Sequence, residues 1–351
     1  MTPVIPAPHS ETIAPPAQLG ALLNGAGISP ANDTGWIRVT GEDRVRWLNG
    51  MVTNSIQDLK PGTGCYNFIL SAQGRIQGDA YIFATPDALL IETAASQLPT
   101  LIALLDRFII MDDVELTDIS DTQSGLLLSG PQAAILLDQI GLPVESLDEL
   151  KQQKFTWTGT EVTAIHAYSP LIPHFEIWTD AATAANLSKA LLQAGASPCE
   201  QQSRDWLRLL EGTPLYGTDI RDRELPQETA QTRALHFAKG CYLGQEIVER
   251  IRSRGNVHRV FHGFRLDGTL PTPGTPLDAD GKQSGELTST AAIPLADGNT
   301  LQLALGYVRR EALDRAVPLT YLGGVVTPVS LPFSPIEASG LQAASEPSER
   351  A

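Results

Sequence analysis

The feature that most constrains the fold is a change of sequence pattern near Gly255. Before it, segments with strand and helix periodicity follow one another irregularly. After it, short apolar segments are separated by proline and glycine turns. Because strands and helices are mixed rather than strictly alternating, residues 18–255 predict an α+β fold and not a doubly wound parallel sheet. Residues 256–335 predict a small antiparallel β-barrel.

The same pattern places individual elements and the ends of the folded part. Strands are predicted at residues 36–40, 66–70, 75–83, 125–128, 162–166 and 174–178, and in the barrel at 260–266, 285–288, 304–308 and 319–321. Helices are predicted at residues 42–51, 95–107, 130–140 and 181–194. Residues 1–17, with five prolines, and residues 336–351 are expected to be disordered tails.

Charge and composition exclude several classes of protein. A formal net charge of −15 argues against broad binding to a nucleic-acid backbone, which needs a basic surface. No apolar run approaches the roughly 20 residues that cross a bilayer, and the N-terminus does not resemble a signal peptide, so we expect a cytoplasmic protein with no membrane contact. Three widely spaced cysteines, an odd number, favour reduced thiols over disulfides.

Residues 239–246, Lys-Gly-Cys-Tyr-Leu-Gly-Gln-Glu, are called the signature loop. Gly240 and Gly244 permit backbone conformations in which several N–H groups point to one place. The residues that follow predict a helix, in which Glu246 is spaced to pair with Arg250. The helix N-terminus and the six cations against two anions in residues 239–265 favour an anion. The alternative is a solvated basic helix face.

Cys241 is the strongest candidate for covalent chemistry. A thiol near Lys239 and a helix N-terminus is expected to favour its thiolate form, the nucleophile and metal ligand. The alternative is a small buried apolar residue, a common role for cysteine. No second cysteine or histidine lies at metal-ligand spacing, so no metal site is predicted, and iron–sulphur ligation would need ligands from elsewhere or from a partner.

The signature loop resembles the motif of YgfZ-type folate-binding proteins, relatives of the glycine-cleavage T-protein, an aminomethyltransferase. Other segments resemble the same family in the same order, over about residues 20–335: residues 47–54, 74–76, 113–116, 212–220, 225–228 and 305–308. The resemblance implies a three-lobed ring of two mixed α/β subdomains and a β-barrel, with tetrahydrofolate in its central channel.

The resemblance also implies which residues bind folate. The loop residues predicted to line the cofactor site are Lys239, Gly240, Tyr242, Gly244, Gln245 and Glu246, with Arg250 for the glutamate tail. Glu211 and Glu228 are candidates for the pterin edge, since a carboxylate accepts two parallel hydrogen bonds. The family reads Arg-x-Glu-Ala-Gly where this chain has Leu210 followed by Glu211. In a strand, that shift turns the acid to the other face. A solvated acid beside a turn is the alternative.

Asp79 is the residue that bears on enzymatic activity. Strand alternation places it on a polar face, opposite Ile76 and Ala80. It resembles the second acid of the T-protein's Asp-Asp pair, whose implied role is to activate the reacting folate nitrogen, and Gly78 replaces the first. A positioned carboxylate can stabilise positive charge or move a proton. The alternative is an exposed strand acid.

Three functions follow from these residues. The first is a folate-binding accessory factor that, as the resemblance implies, supports iron–sulphur cluster assembly or repair in client enzymes and so indirectly tRNA modification, with Cys241 as its working thiol. The second is a tetrahydrofolate-dependent aminomethyltransferase that uses Asp79. The third, direct binding of tRNA by the basic segment, is disfavoured by the overall charge.

Overall fold

A computed structural model describes residues 14–255, 257–295 and 297–334 of the chain. These residues divide into two compact units, residues 14–200 with 220–255 and residues 201–219 with 257–334. Residues 1–13 and 335–351, which contain most of the two predicted tails, lie outside the described residues. The first helix begins at Pro15, so the last residues of the predicted N-terminal tail are helical.

The elements in chain order are as follows. The helices are α1 (Pro15–Asn24), α2 (Arg44–Asn49), α3 (Leu98–Asp106), α4 (Ala133–Gln139), α5 (Ala181–Gln193), α6 (Gln201–Glu211), α7 (Gln245–Arg254) and α8 (Arg310–Asp314). The strands are β1 (Gly27–Pro30), β2 (Thr34–Thr40), β3 (Gly64–Leu70), β4 (Ile76–Ala84), β5 (Leu89–Ala94), β6 (Glu115–Asp118), β7 (Ser124–Ser129), β8 (Gln152–Trp157), β9 (Thr160–Ala167), β10 (His174–Thr179), β11 (Ser197–Pro198), β12 (Arg259–Gly268), β13 (Pro276–Ala279), β14 (Lys282–Pro294), β15 (Thr300–Arg309), β16 (Leu319–Tyr321) and β17 (Gly324–Val329). Short 3₁₀ helices lie at Ala95–Gln97, Ser120–Thr122, Pro226–Glu228 and Thr232–Ala234.

The first unit contains two sheets. A five-stranded antiparallel sheet has the order β3-β4-β5-β2-β6, and a six-stranded sheet has the order β11-β1-β7-β10-β9-β8, with only the β1–β11 pair parallel. The predicted α+β class is therefore confirmed. Each sheet carries helices on one face, because leucines and alanines of α3 and of α4 and α5 bury their apolar sides against it.

The two sheets of this unit also pack on each other through aromatic side chains. Trp36 of β2 meets Trp178 of β10 edge to face, with ring centroids 5.2 Å apart. Ala31, Phe83 and Ile165 complete the cluster, and all five side chains are buried. Alternation along β4 continues from this cluster to Asp79, so the packing that joins the sheets also fixes the strand that carries this acid.

Beside the tryptophans lies a buried pair of carboxyl groups. Glu92 of β5 and Glu176 of β10 hydrogen-bond each other, and Glu176 also accepts a hydrogen bond from Trp178 Nε1 at 2.8 Å. Burial raises the pKa of both groups, and the neighbouring Glu176 raises that of Glu92 further. The two acids can therefore share a proton at a pH where exposed glutamates are ionised.

This pair predicts that the stability of the protein depends on pH, and that the substitution Glu92→Gln removes this dependence. A raised folded-state pKa contributes stability that is complete below the unfolded pKa and is lost as the pH rises through the folded pKa. The free energy of unfolding of Glu92→Gln minus that of the wild type should therefore be larger at pH 8 than at pH 5, by about 1 kcal/mol. Urea unfolding at the two pH values measures this. A difference between variant and wild type that is the same at both pH values contradicts it.

The second unit is the predicted barrel with one helix before it. Six strands close in the order β12-β15-β14-β13-β16-β17 around an apolar core. Helix α6 contains the segment from Arg208 to Glu211, so the strand assumed there is wrong. In a helix, a shift by one residue rotates a side chain by about 100° instead of reversing its face. Leu210 is fully buried, and Glu211 is the last helical residue.

A polar network fixes the end of α6 within this unit. Arg208 forms an ion pair of 2.6 Å with Asp219, which is completely buried and accepts further hydrogen bonds from Ser289 and the Leu215 amide.

Among residues 14–255, 257–295 and 297–334, no helix has the length and hydrophobicity that a membrane span requires.

Candidate functional site

The signature loop leads into helix α7 as predicted, but its two glycines differ. Gly244 precedes the helix with φ of +82°, and a Cβ there would lie 2.6 Å from the Ser71 carbonyl oxygen. Only glycine suits this position. Gly240 has no such requirement, because its φ is not positive and an added Cβ would meet no atom within 4 Å. The expected backbone freedom is thus needed at one glycine and not at the other.

Lys239 holds the loop to a distant turn. Its ammonium donates to the backbone carbonyl oxygens of Asn49, Val52 and Asn54 at 2.8, 2.7 and 2.7 Å. An ammonium has three donors, so all of them are used within the protein. Burial lowers the pKa of Lys239 to about 8, which leaves the group mainly protonated at pH 7. The cation expected to contact an anion instead fastens residues 49–54 to the loop.

The loop's amide groups are also occupied. Leu243 N–H donates to the Gly50 carbonyl at 3.0 Å, Tyr242 N–H donates to Gln245 Oε1 at 3.3 Å, and Gln245 N–H donates back to the Tyr242 carbonyl at 3.2 Å. These three amides do not converge on an open point, so the anion-binding nest predicted from the glycines is not formed by them. The loop is ordered by its own bonds.

Cys241 is exposed, which excludes the buried apolar role that the sequence left open. Glu246 and Arg250 are also exposed on α7. No ion pair joins these two residues, whose side chains the structure describes, whereas Arg252 of α7 pairs with Glu249 at 3.5 Å. The fixed loop thus presents its thiol to solvent, and Arg250 has no carboxylate partner within residues 14–255.

Other segments of the family resemblance meet at this loop. The turn that contains Gly74 packs on α7, where a Cβ on Gly74 would lie 2.7 Å from Ile247 Cβ. Gln227 donates to the Val248 carbonyl at 2.9 Å, which attaches residues 225–228 to the same helix. Residues 47–54, 74–76, 225–228 and 239–246, which resemble the same family, therefore form one structural region in the first unit.

Asp79 lies at the polar centre of this unit. Its Oδ2 accepts a hydrogen bond of 2.6 Å from the Tyr66 hydroxyl, and its Oδ1 accepts one of 2.8 Å from Gln97 Nε2. Burial raises the pKa of Asp79, while these two donors and the cation of Arg233 oppose the rise. Asp79 is thus a half-buried, oriented carboxylate and not an exposed strand acid. Each oxygen retains a lone pair for a ligand.

The sequence analysis missed Arg233 and its aromatic neighbours. The guanidinium carbon of Arg233 lies 4.1 Å from the ring centroid of Tyr66, 3.6 Å from that of Tyr168 and 5.5 Å from that of Tyr81. One of its N–H groups donates to the Tyr81 hydroxyl at 3.0 Å. Cation–π contact of this kind holds a charge without a carboxylate. No motif pointed to these residues, because they come from segments far apart in sequence.

Asn54 connects the Asp79 region to the signature loop. Its side chain donates to the carbonyl oxygens of Tyr66 at 3.1 Å and Arg233 at 2.9 Å. Its own carbonyl accepts one of the three hydrogen bonds from Lys239. A displacement of Lys239 would therefore shift Asn54 and, through it, the backbone of Tyr66 and Arg233.

Gly78 explains why a second acid is absent. It lies on the face of β4 opposite Asp79, and a Cβ there would come within 2.5 Å of Leu101 Cδ2, in the buried core. An acid at this position would collide with Leu101 under α3 and would also meet Gln97 Oε1, an acceptor that repels a carboxylate, at 3.1 Å from its Cβ. Asp79 is the single acid that this part of β4 can present.

The two predicted pterin acids have different surroundings. Glu228 is buried, and its carboxylate accepts a hydrogen bond from the Leu225 N–H at 3.0 Å, which caps the short helix Pro226–Glu228. It belongs to the first unit, whereas Glu211 belongs to the second. Glu228 thus has a structural task beside the loop, and Asp79 is the oriented acid with remaining acceptor capacity.

A cavity of about 670 Å³ lies elsewhere in the first unit. It contains none of the predicted site residues and is lined by strands of both sheets, including Trp36 and Trp178. Its two cations, Arg38 and Lys154, are each paired with a carboxylate, Asp87 and Glu161. The oriented acid and the arginine held between tyrosine rings make the Asp79 region the better candidate site.

Comparison with known proteins identifies the class of fold. The model of the GCVT N-terminal domain matches residues 16–239, and that of the C-terminal β-barrel domain of CAF17 matches residues 259–334. An aminomethyltransferase of Geobacillus kaustophilus is 28% identical over 316 residues, which cover 86% of this chain and 85% of that protein. A chloroplastic protein of Arabidopsis thaliana described as a transferase is 25% identical over 323 residues, covering 89% of this chain and 72% of its own length.

A solved structure supports the same assignment at the level of the fold. The glycine cleavage system aminomethyltransferase T of Bartonella henselae superposes with a TM-score of 0.81 and 22% identity, covering 91% of this chain and 89% of the other. The two sheets and the barrel are therefore those of a T-protein-like fold.

Proposed function

Because the chain belongs to the GCVT family and fits a YgfZ-type member of it, we propose that it binds tetrahydrofolate beside Asp79 and acts as an accessory factor for iron–sulphur enzymes. The observation that carries the first part is the half-buried Asp79 carboxylate, held on both oxygens by Tyr66 and Gln97. Such a fixed acceptor suits a polar N–H on an otherwise apolar ring system.

The chemistry of tetrahydrofolate matches this acceptor. Its N5 carries a hydrogen and is the nitrogen that accepts one-carbon groups when the cofactor is bound. Asp79 would accept the N5–H, and the tyrosine rings around it would contact the flat pterin. Arg250, exposed and without a carboxylate partner in the described first unit, remains the proposed contact for the glutamate tail.

The accessory role is supported by the exposed thiol of the signature loop. Cys241 stands on a loop that Lys239 and Leu243 fix to residues 49–54, so a protein partner can reach it without unfolding the chain. The proposed clients are iron–sulphur enzymes or their assembly proteins, with an indirect effect on tRNA modification. The three free cysteines agree with a reducing compartment, and we place the protein in the cytoplasm.

Replacement of the thiol tests this role in cells. We expect Cys241→Ala to lower the activity of iron–sulphur enzymes severalfold in cells that depend on this chain. Its stability should change by less than about 0.5 kcal/mol, because the side chain is exposed. Cys65→Ala is the matched control, since that thiol is half-buried and donates weakly to the Ser55 carbonyl. Full enzyme activity with Cys241→Ala would overturn the accessory role while leaving folate binding intact.

A second function, aminomethyl transfer, is favoured by Asp79 itself. A carboxylate at the reacting nitrogen can take the proton that N5 releases when it gains a one-carbon group. The test is tetrahydrofolate-dependent release of ammonia from an aminomethyl-lipoyl donor, with Asp79→Asn as the inactive variant. Turnover that does not exceed the background rate removes this function.

A further inference from the structure

Arg233 presents an unused edge of its guanidinium beside Asp79. Of the five N–H donors of an arginine, one on Nε bonds Gln231 Oε1 at 3.1 Å and one on Nη1 bonds the Tyr81 hydroxyl at 3.0 Å. The other three have no acceptor within residues 14–255. Nη2 is not among the buried polar atoms that lack a partner, so solvent reaches it.

The aromatic rings fix the direction of this edge. Tyr66 and Tyr168 lie 4.1 and 3.6 Å from the guanidinium carbon, and the two further hydrogen bonds hold the plane against rotation. No carboxylate in the described part of the chain forms an ion pair with Arg233. Its charge and its remaining donors are therefore available to a ligand, already oriented.

The neighbouring residue supplies the opposite polarity. Tyr66 contacts both groups, since its hydroxyl donates to Asp79 while its ring carries Arg233. An acceptor and a donor held by the same tyrosine complement a ring edge that has a donor next to an acceptor. In a tetrahydropterin, N5–H and the 4-oxo oxygen are such neighbours, because they stand at peri positions of the two fused rings.

We propose that Arg233 is a specificity-determining residue that donates to the 4-oxo group of the reduced pterin while Asp79 accepts its N5–H. This assignment rests on the proposed folate binding and adds the selection of the oxo form. It disfavours analogues in which an amino group replaces the oxygen, because two donors would then face each other. A site built to hydrogen-bond one group rejects an analogue without it.

The test compares two ligands that differ at this one position. Titration calorimetry would measure the affinities of tetrahydrofolate and of its 4-amino analogue with the same tail. The wild type is expected to prefer the oxo compound by about 10- to 100-fold. Arg233→Gln should weaken the oxo compound by that factor and abolish the preference. Arg233→Lys, which keeps the charge without the planar fork, should retain only part of it.

Controls separate this inference from the proposed function. Arg38→Gln makes the same change at an arginine of β2 that pairs with Asp87, and should leave the preference intact. Thermal unfolding checks that each variant is folded. If the wild type binds both compounds and Arg233→Gln keeps the preference or binds the oxo compound as tightly, the inference is overturned alone. If the wild type binds neither, the proposed function fails and the inference with it.

Discussion

Lys239→Met is expected to lower the free energy of unfolding by about 3–5 kcal/mol, because it removes three charge-assisted hydrogen bonds and leaves three carbonyl groups without a donor. Methionine has a similar length and no polar atom that can donate. The carbonyls belong to Asn49, Val52 and Asn54, so the turn and the signature loop should separate together. Chemical denaturation of the purified variant measures the loss.

An exposed lysine provides the control for this change. Lys60→Met alters an exposed side chain by the same substitution and should change the stability by less than about 0.5 kcal/mol. Since Asn54 also holds Tyr66 and Arg233, folded Lys239→Met protein should bind tetrahydrofolate more weakly than the wild type. If Lys239→Met proves as stable as Lys60→Met, the role of the lysine as a fastening between the two segments is wrong.

Asp79→Asn is expected to weaken tetrahydrofolate binding by at least tenfold without destabilising the fold. The loss follows from a hydrogen bond to a charged acceptor, worth about 1.5–3 kcal/mol. Asparagine keeps the volume of aspartate, its oxygen can still accept from Gln97, and its NH2 can donate to the Tyr66 hydroxyl, so the fold should be kept. Fully oxidised folate has no hydrogen on N5, so the wild type should prefer the tetrahydro form and Asp79→Asn should lose much of that preference.

The pH dependence of binding gives a second measure of the same residue. Burial raises the pKa of Asp79, so the carboxylate form that binds N5–H is present above this raised pKa and is lost as the pH falls through it. The wild-type affinity should therefore decline at a higher pH than an ordinary aspartate would require, and Asp79→Asn should show no such decline. Asp58→Asn, at an exposed aspartate, should match the wild type in affinity and in pH profile.

The parts of the fold that repeat a local pattern could be predicted from the sequence. The barrel strands follow from short apolar segments between turns, and the alternation of buried and half-buried residues along β4 follows from the period of two. Gly244 could be predicted as a glycine of special conformation because it directly precedes a helix. These features depend on a few neighbouring residues.

The site depends on contacts that have no local signal. Lys239 bonds backbone carbonyls about 190 positions away, and carbonyl groups are the same at every residue. Arg233 meets Tyr81 across 152 positions, and neither lies in a recognised motif. The reversal of face expected for Glu211 holds only in a strand, and the segment is instead helix α6, which buries Trp206, Leu209 and Leu210 on one side. Periodicity could have found this helix, whereas the arginine cage needed the tertiary fold.

The same limit explains why the sequence indicates Lys239, and not Arg233, as the cation that contacts an anionic ligand. Lys239 and the helix after it stood out because they are close together in sequence. In the structure Lys239 donates to internal backbone carbonyls, and the cation near Asp79 is Arg233, which stacks on tyrosine rings. A cation outside any recognised motif can therefore be the one whose hydrogen-bond donors are available to a ligand.

Titration of the purified full chain with tetrahydrofolate, under conditions that protect it from oxidation, tests the central claim most directly. Because the enthalpy of binding changes with temperature, calorimetry at two temperatures detects binding even if the enthalpy is near zero at one of them. The account predicts saturable binding at one site per chain, weakened by Asp79→Asn and preserved in Asp58→Asn. No binding at high micromolar tetrahydrofolate, at either temperature, would contradict it.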